Sequence, residues 1–246
     1  MKIQEKRERV FLVLSGIFLS AMTMLNVIGI TKFIQLGPLA LAVGVLPYPL
    51  TFLCTDIVSE LYGKSRANFL VFVGLLLNLF VISVVVLAEY IPSVDVLHQP
   101  PWQVLPISGE TFLANGEKAS GSVELFHFIY ACTAGSVFAS MLAYLAAQFC
   151  DVHLFHYWKK VTKGKKLWLR NNMSTLISQL VDSLMVISVT FGAVFLRGEM
   201  SFEQIMMLMG SNYLFKMVAA LLDTIPFILT VKWLSSYLDI DIEKVH

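Results

Sequence analysis

Five ionisable side chains recur inside stretches otherwise built of Leu, Ile, Val and Phe: Asp56, Glu60, Asp182, Lys216 and Asp223. An Asp or Lys at the centre of a membrane-spanning helix costs roughly 2.5–3.5 kcal/mol on insertion scales, and is kept where it faces protein, water or a solute. Asp56 and Glu60 are four residues apart and share a helix face. Two like charges at that spacing repel, so either a cation lies between them or one carries a proton. Gln179 and Asp182 are three apart, with Ser174 and Ser178 on or near the same face. Asn212, Lys216 and Asp223 are offset by 4 and 11 residues and fall within about 40° of one another on a helix. These stripes point to a solute site at mid-membrane depth, and so to a transporter. The bland alternative is a buried ion pair of Lys216 with Asp182, Asp56 or Asp223 that ties helices together. Four acids and one lysine exceed what one tether requires. Asn26 and Asn78 are less specific and read as interhelical hydrogen-bonding residues.

The elements that must position these groups are spanning helices. The 246-residue chain is 57% hydrophobic and only 14% charged, with a mean hydropathy of +0.74. Soluble domains carry about a quarter charged residues, so the composition belongs to the membrane class. A spanning helix needs about 20 apolar residues. Six stretches meet that need: 10–30, 36–62, 68–91, 123–150, 173–195 and 202–233. The expected fold is therefore an all-α membrane protein, a six-transmembrane-helix bundle forming one domain over 10–234. Pro47 and Pro49 break the second stretch, because neither has an N–H to donate. In lipid the freed carbonyls need protein, water or ligand, and broken helices are common at transport sites.

Basic residues set the orientation. With a cytoplasmic N-terminus and alternating helices, the inner segments hold Lys2, Lys6, Arg7, Arg9, Lys64, Arg66, Lys159, Lys160, Lys163, Lys165, Lys166, Arg170, Lys232 and Lys244. The outer segments hold only Lys32, Lys118 and Arg197. Both termini are thus expected inside: a basic tail over 1–9 ahead of an uncleaved first helix, and a tail over 235–246. The 92–122 connection, rich in turn formers, is expected as an outer loop acting as a lid, a binding loop or plain surface. The 151–172 connection is expected as a basic inner loop, whose WKKVTKGKKLWLR stretch acts as a topology signal or meets anionic headgroups.

Other chemistries lack support. Cys54, Cys132 and Cys150 have no CxxC or metal-like spacing and read as small apolar residues. His153 and His156 beside Asp151 read as a wetted helix end rather than a metal site. No basic stripe interleaved with aromatics points to nucleic acid. No HExxH, GxSxG or GxxxxGK[ST] motif is present, so no catalytic residues and no cofactor are assigned.

The stretch PYPLTFLCTDIVSELYGKSRA resembles the signature of the queuosine-precursor transporter family, also described as vitamin-uptake-transporter-like integral membrane proteins. QFCDVHLFHYWKK, LRNNMSTLISQLVDSL and YLFKMVAALLDTIPF fit the same family. The long outer loop is the least matched part. The resemblance implies a bacterial inner-membrane protein that imports 7-deazaguanine-type bases, such as 7-cyano-7-deazaguanine, precursors of a modified tRNA nucleoside. By position it points to Asp56, Glu60, Asp151, Ser174, Asp182 and Lys216. The family also resembles substrate-binding components of energy-coupling-factor importers. Any ATP drive would then come from other subunits.

The chemistry fits that substrate class. A guanine-like edge offers two N–H donors beside a carbonyl oxygen. A carboxylate accepts both donors, while Lys216, Asn212 or Gln179 donates to the carbonyl. Phe52, Tyr48, Tyr213 or Phe215 is placed to stack on the ring. The expected substrate-binding set is Asp56, Glu60, Asp182, Lys216, Gln179, Asn212, Ser174 and Phe52. Two other functions stay open: a binding subunit that needs a partner ATPase module, and an intramembrane enzyme. Homo-oligomerisation, the preferred precursor and the energy source stay open as well.

Overall fold

A computed structural model of the chain describes residues 3–28, 31–36, 39–95, 98–113, 117–196, 198 and 201–240. Lys2, Lys244, Arg197, the end of the first expected span at 29–30 and residues 241–246 of the C-terminal tail lie outside them. The chain is mostly helical. Helix α1 spans Ile3–Ile28, and the hairpin strands β1 Phe33–Leu36 and β2 Leu39–Ala42 follow. Next come α2 Tyr48–Tyr62 and α3 Lys64–Tyr90. A second antiparallel hairpin, β3 Val104–Phe112 and β4 Lys118–Glu124, leads into α4 Leu125–Val161. Helices α5 Leu167–Leu196 and α6 Phe202–Tyr237 complete the chain.

The bundle is inverted relative to a soluble protein. Outward faces carry Phe69, Phe72, Leu76, Phe80 and Leu87 on α3, and Leu214, Leu221, Leu222, Ile225 and Leu229 on α6. These recur at helical spacing and are exposed, while acids, amides and hydroxyls are buried. Only an apolar solvent around the helices makes that partition favourable. Exposed Tyr90 and Trp102 lie toward one end, with Trp168, Trp233 and Tyr237 toward the other, as in an interfacial aromatic belt. Among the described residues, α1, α3, Leu167–Val189 of α5, and α6 are long and apolar enough to cross a membrane. Helix α4 has 37 residues.

The second expected span is corrected. Residues 33–42 form a hairpin, and helix begins only at Tyr48, just past Pro47. Pro49 is tolerated there because the first turn needs no amide donor. The 15 residues of α2 rise roughly 22 Å, short of the hydrocarbon thickness. Helix α2 is instead buried almost throughout, among α1, α3, α4 and α6.

Three boundaries also move. The expected inner loop shrinks to 162–166, because α4 runs to Val161 and α5 begins at Leu167. The helices can continue because Asp151, Lys159 and Arg170 find partners inside the bundle. Helix α1 begins at Ile3, so most of the basic tail is helical, with Arg9 paired to Glu5 at 2.7 Å. Leu238 and Ile240 fold back into the core, so the C-terminal tail starts later than expected. In the 92–122 connection, expected as an outer loop, β3 and β4 pair as an antiparallel hairpin, with Gly109 and Gly121 at positive φ. Asn26 Nδ2 donates to Asn78 Oδ1 at 2.7 Å, the interhelical bond expected of those residues.

Candidate functional site

Four helices aim polar stripes at one another. On α2, Tyr48, Phe52, Asp56 and Glu60 recur every four residues, with Thr51, Thr55 and Ser59 beside them. On α4, Tyr144, Gln148, Asp151 and Phe155 are spaced 4, 3 and 4 apart, and all are buried. On α5, Asn171, Thr175, Ser178 and Asp182 form a stripe flanked by Ser174 and Gln179, again all buried. Helix α6 contributes Lys216, Ala220, Asp223 and Phe227. Thr224 Oγ1 donates to Asn172 Oδ1 at 2.9 Å and ties α6 to α5. Because α2 advances roughly 6 Å every four residues, its stripe sorts the site into three layers.

The layer nearest the hairpins centres on Asp182 and Lys216, which form a buried ion pair. The Lys216 ammonium lies 4.6 Å from the centre of the Tyr48 ring, a cation–π distance. Tyr48 and Phe52 stand 5.3 Å apart between ring centres, tilted by 43°. The Tyr48 hydroxyl faces Asp182 and Gln179, and Tyr144 faces Gln148. Thr55 donates to Gln148 Oε1 at 3.2 Å. Several buried atoms here have no hydrogen-bond partner: the Tyr48 and Tyr144 hydroxyls, Gln148 Nε2, Gln179 Oε1 and Ser183 Oγ. Buried polar groups are ordinarily paired, and leaving one unpaired costs roughly 1–3 kcal/mol. Such a cluster of spare donors and acceptors is what a polar ligand would satisfy.

The middle layer holds Asp56 beside Asp151. Ser178 Oγ donates to Asp151 Oδ1 at 2.9 Å, while Asp56 Oδ1 and Asp151 Oδ2 have no hydrogen-bond partner. Two ionised carboxylates 4 Å apart would repel by roughly 4 kcal/mol at an effective dielectric constant of 20. A small cavity of about 10 Å³ adjoins Asp56, lined also by Phe52, Asn171, Thr175, Asp223 and Phe227, among others. That volume is room for about one water molecule.

The layer nearest the basic end is an ion-pair cluster, in which Arg170 Nε and Nη1 keep no hydrogen-bond partner. Arg170 Nη2 donates to Glu60 Oε1 at 3.0 Å, and Lys159 Nζ donates to Glu60 Oε2 at 3.2 Å. Glu60 and Arg170 have essentially no exposed surface, and Phe155 presents its ring 5.4 Å from the guanidinium. Sequence reasoning placed Arg170 and Lys159 in a basic loop, as a topology signal or a headgroup contact. They turn inward and neutralise Glu60 instead.

Of the expected site residues, Asp182, Lys216, Gln179 and Phe52 come together in the first layer. Asp56 and Ser174 sit in or near the second, and Glu60 lies in the third. Asn212 is half-buried, one turn along α6 from Lys216. Sequence reasoning missed Tyr144, Gln148, Thr55, Asn171 and Thr175. The 4-3-4 spacing from Tyr144 to Phe155 carried a signal that a scan for charges passes over.

A polar core inside an apolar shell is the mark of a multi-pass membrane protein. The chain belongs to the family described as "Putative vitamin uptake transporter", which matches residues 42–231 and so contains all three layers. It is similar to the "Probable queuosine precursor transporter" of Bacillus subtilis (strain 168). The two are 25% identical over 164 residues, covering 66% of this chain and 61% of that relative. No solved structure matches the chain.

Proposed function

We propose that the protein imports a 7-deazaguanine-type base, a queuosine precursor such as 7-cyano-7-deazaguanine, across a bacterial inner membrane. The observation that carries this reading is the buried Asp182–Lys216 pair set against the Tyr48 and Phe52 rings. The base slots beside the pair. Asp182 accepts its two edge N–H groups, and Lys216 donates to its carbonyl oxygen. Gln179 and Asn212 supply further polar contacts, and Phe52 and Tyr48 stack on the ring plane. Asp56 and Ser174 form the floor of the site, and Glu60 holds its inner end closed. The name of the Bacillus subtilis relative supports the same substrate class.

The chain spans the membrane six times in this reading, with α2 as a broken central segment and both termini cytoplasmic. The basic residues at the end where α2, α4 and α6 finish support that orientation. Ligand pockets run to roughly 300–1,000 Å³, far above the 10 Å³ cavity beside Asp56. A base does not fit that cavity, so its entry beside Asp56 requires the groups lining it to move. Transport proceeds by opening the site to each side in turn.

A bacterial strain that cannot make the precursor tests the proposal. Supplied with external 7-cyano-7-deazaguanine at limiting concentration, it forms queuosine-modified tRNA when this gene is expressed and little without it. Equal modification in both strains contradicts the proposal.

A further inference from the structure

We propose that the Asp56–Asp151 carboxyl pair carries the proton that couples inward transport to a proton gradient. The inference rests on the transport reading above and adds its energy source.

Three basic side chains, Lys216, Lys159 and Arg170, reach the polar core among the described residues, and each is already engaged. Lys216 pairs with Asp182, and Lys159 and Arg170 both pair with Glu60. Asp56 and Asp151 meet carboxyl to carboxyl with no base between them, 3% and 0% exposed. Their balancing charge must come from outside the chain.

The space beside Asp56 limits that charge to something small. The adjoining cavity of about 10 Å³ is lined by Asn171 and Thr175, each 3% exposed, with Asn171 Oδ1 and Thr175 Oγ1 lacking partners. It accommodates about one water molecule, which suits a proton passed along water and hydroxyls. Half-buried Asp223 of α6 lines the same cavity and offers the entry point.

Asp56 faces Asp151 from α4, Thr175 from α5 and Asp223 from α6, with Cys54 nearby on α2. Asp151 also meets Ser174 and Ser178 of α5, and Tyr144 of α4 lies within its field. Helices α1 and α3 bring Phe18, Met22 and Leu70 to the core around α2.

The step balances simply. One proton from the outer side forms one O–H bond on the pair, and that bond breaks when the proton leaves to the cytoplasm with the base. Asp56 is one turn from Phe52, and Asp151 is three residues from Gln148, so the proton sits against the substrate layer. Import of a neutral base then moves one positive charge per cycle.

The test uses purified protein in proteoliposomes with a trapped pH dye and labelled 7-cyano-7-deazaguanine. Counterflow exchange, which needs no gradient, reports transport itself. An inward gradient of about one pH unit should drive about tenfold accumulation at one proton per base, with acidification of the lumen on substrate addition. Asp151→Asn should lose pH-driven accumulation and acidification by a far larger factor than it loses counterflow, and Asp151→Glu should restore them; equal loss of all three contradicts the assignment. Should Asp151→Asn not fold, Ser178→Ala removes only the hydroxyl bonded to Asp151. It should move the pH of half-maximal accumulation, and an unmoved value contradicts the assignment. Intact counterflow with no pH-driven accumulation, or accumulation driven by sodium instead, overturns the coupling and leaves the transport reading standing. Absence of counterflow in the unaltered protein overturns the transport reading itself.

Discussion

Lys216 of α6 is paired with Asp182 of α5 in the core of the bundle, and the same ammonium lies over the Tyr48 ring of α2 at 4.6 Å. One lysine thus joins three helices through one charge. Neither ion is solvated, so removing one partner strands the other. Asp182→Asn and Lys216→Met should each destabilise the protein by roughly 3–5 kcal/mol, whereas the double variant recovers most of that loss. Thermal unfolding of the four forms in one detergent measures the coupling. Additive losses would mean that the two groups do not depend on each other.

Glu60 supports the bundle from the other end. It neutralises Arg170 and Lys159 together, so Glu60→Gln leaves one buried and one partly buried cation facing a neutral amide. The expected result is a lower unfolding temperature, partly restored by adding Arg170→Gln. A Glu60→Gln protein as stable as the original, but unable to bind the base, would move Glu60 into the substrate site proper.

Phe52 is buried beside Tyr48 and presents a ring to the space next to the ion pair. Base–aromatic stacking is worth roughly 1–3 kcal/mol, so Phe52→Ala should raise the half-saturating substrate concentration about fivefold or more. Phe52→Leu, which keeps bulk without a ring, separates stacking from packing. Unchanged uptake kinetics in both variants would remove Phe52 from the site.

Sidedness is testable with single cysteines. Lys165 and Ser120 are exposed at opposite ends of the bundle. A membrane-impermeant thiol reagent added to intact cells should label Ser120→Cys. It should label Lys165→Cys only after the cells are opened. The reverse pattern would invert the orientation drawn from the basic residues.

Much of this arrangement was legible in the chain. Length and hydropathy locate the long helices, and Pro47 and Pro49 mark where the second stretch breaks. Charge inside apolar sequence singles out Asp182 and Lys216 before any partner is known. Two things were not legible. Charges at helix ends are ordinarily wetted, so nothing local to Arg170 or Lys159 reveals that both turn inward onto Glu60. The 33–42 and 104–124 hairpins depend on pairing between strands, which apolar content alone does not distinguish from helix. Tyr144 and Gln148 fall between these cases. Their spacing with Asp151 is visible, but neither residue carries the charge that made the other stripes conspicuous.

Equilibrium binding of labelled 7-cyano-7-deazaguanine to the purified protein, with and without Asp182→Asn, tests the central claim most directly. Hydrogen bonds to a charged group contribute roughly 1.5–3 kcal/mol, so saturable binding should weaken by about tenfold or more in the variant. Undiminished affinity in an Asp182→Asn protein that unfolds as one cooperative species would contradict the account.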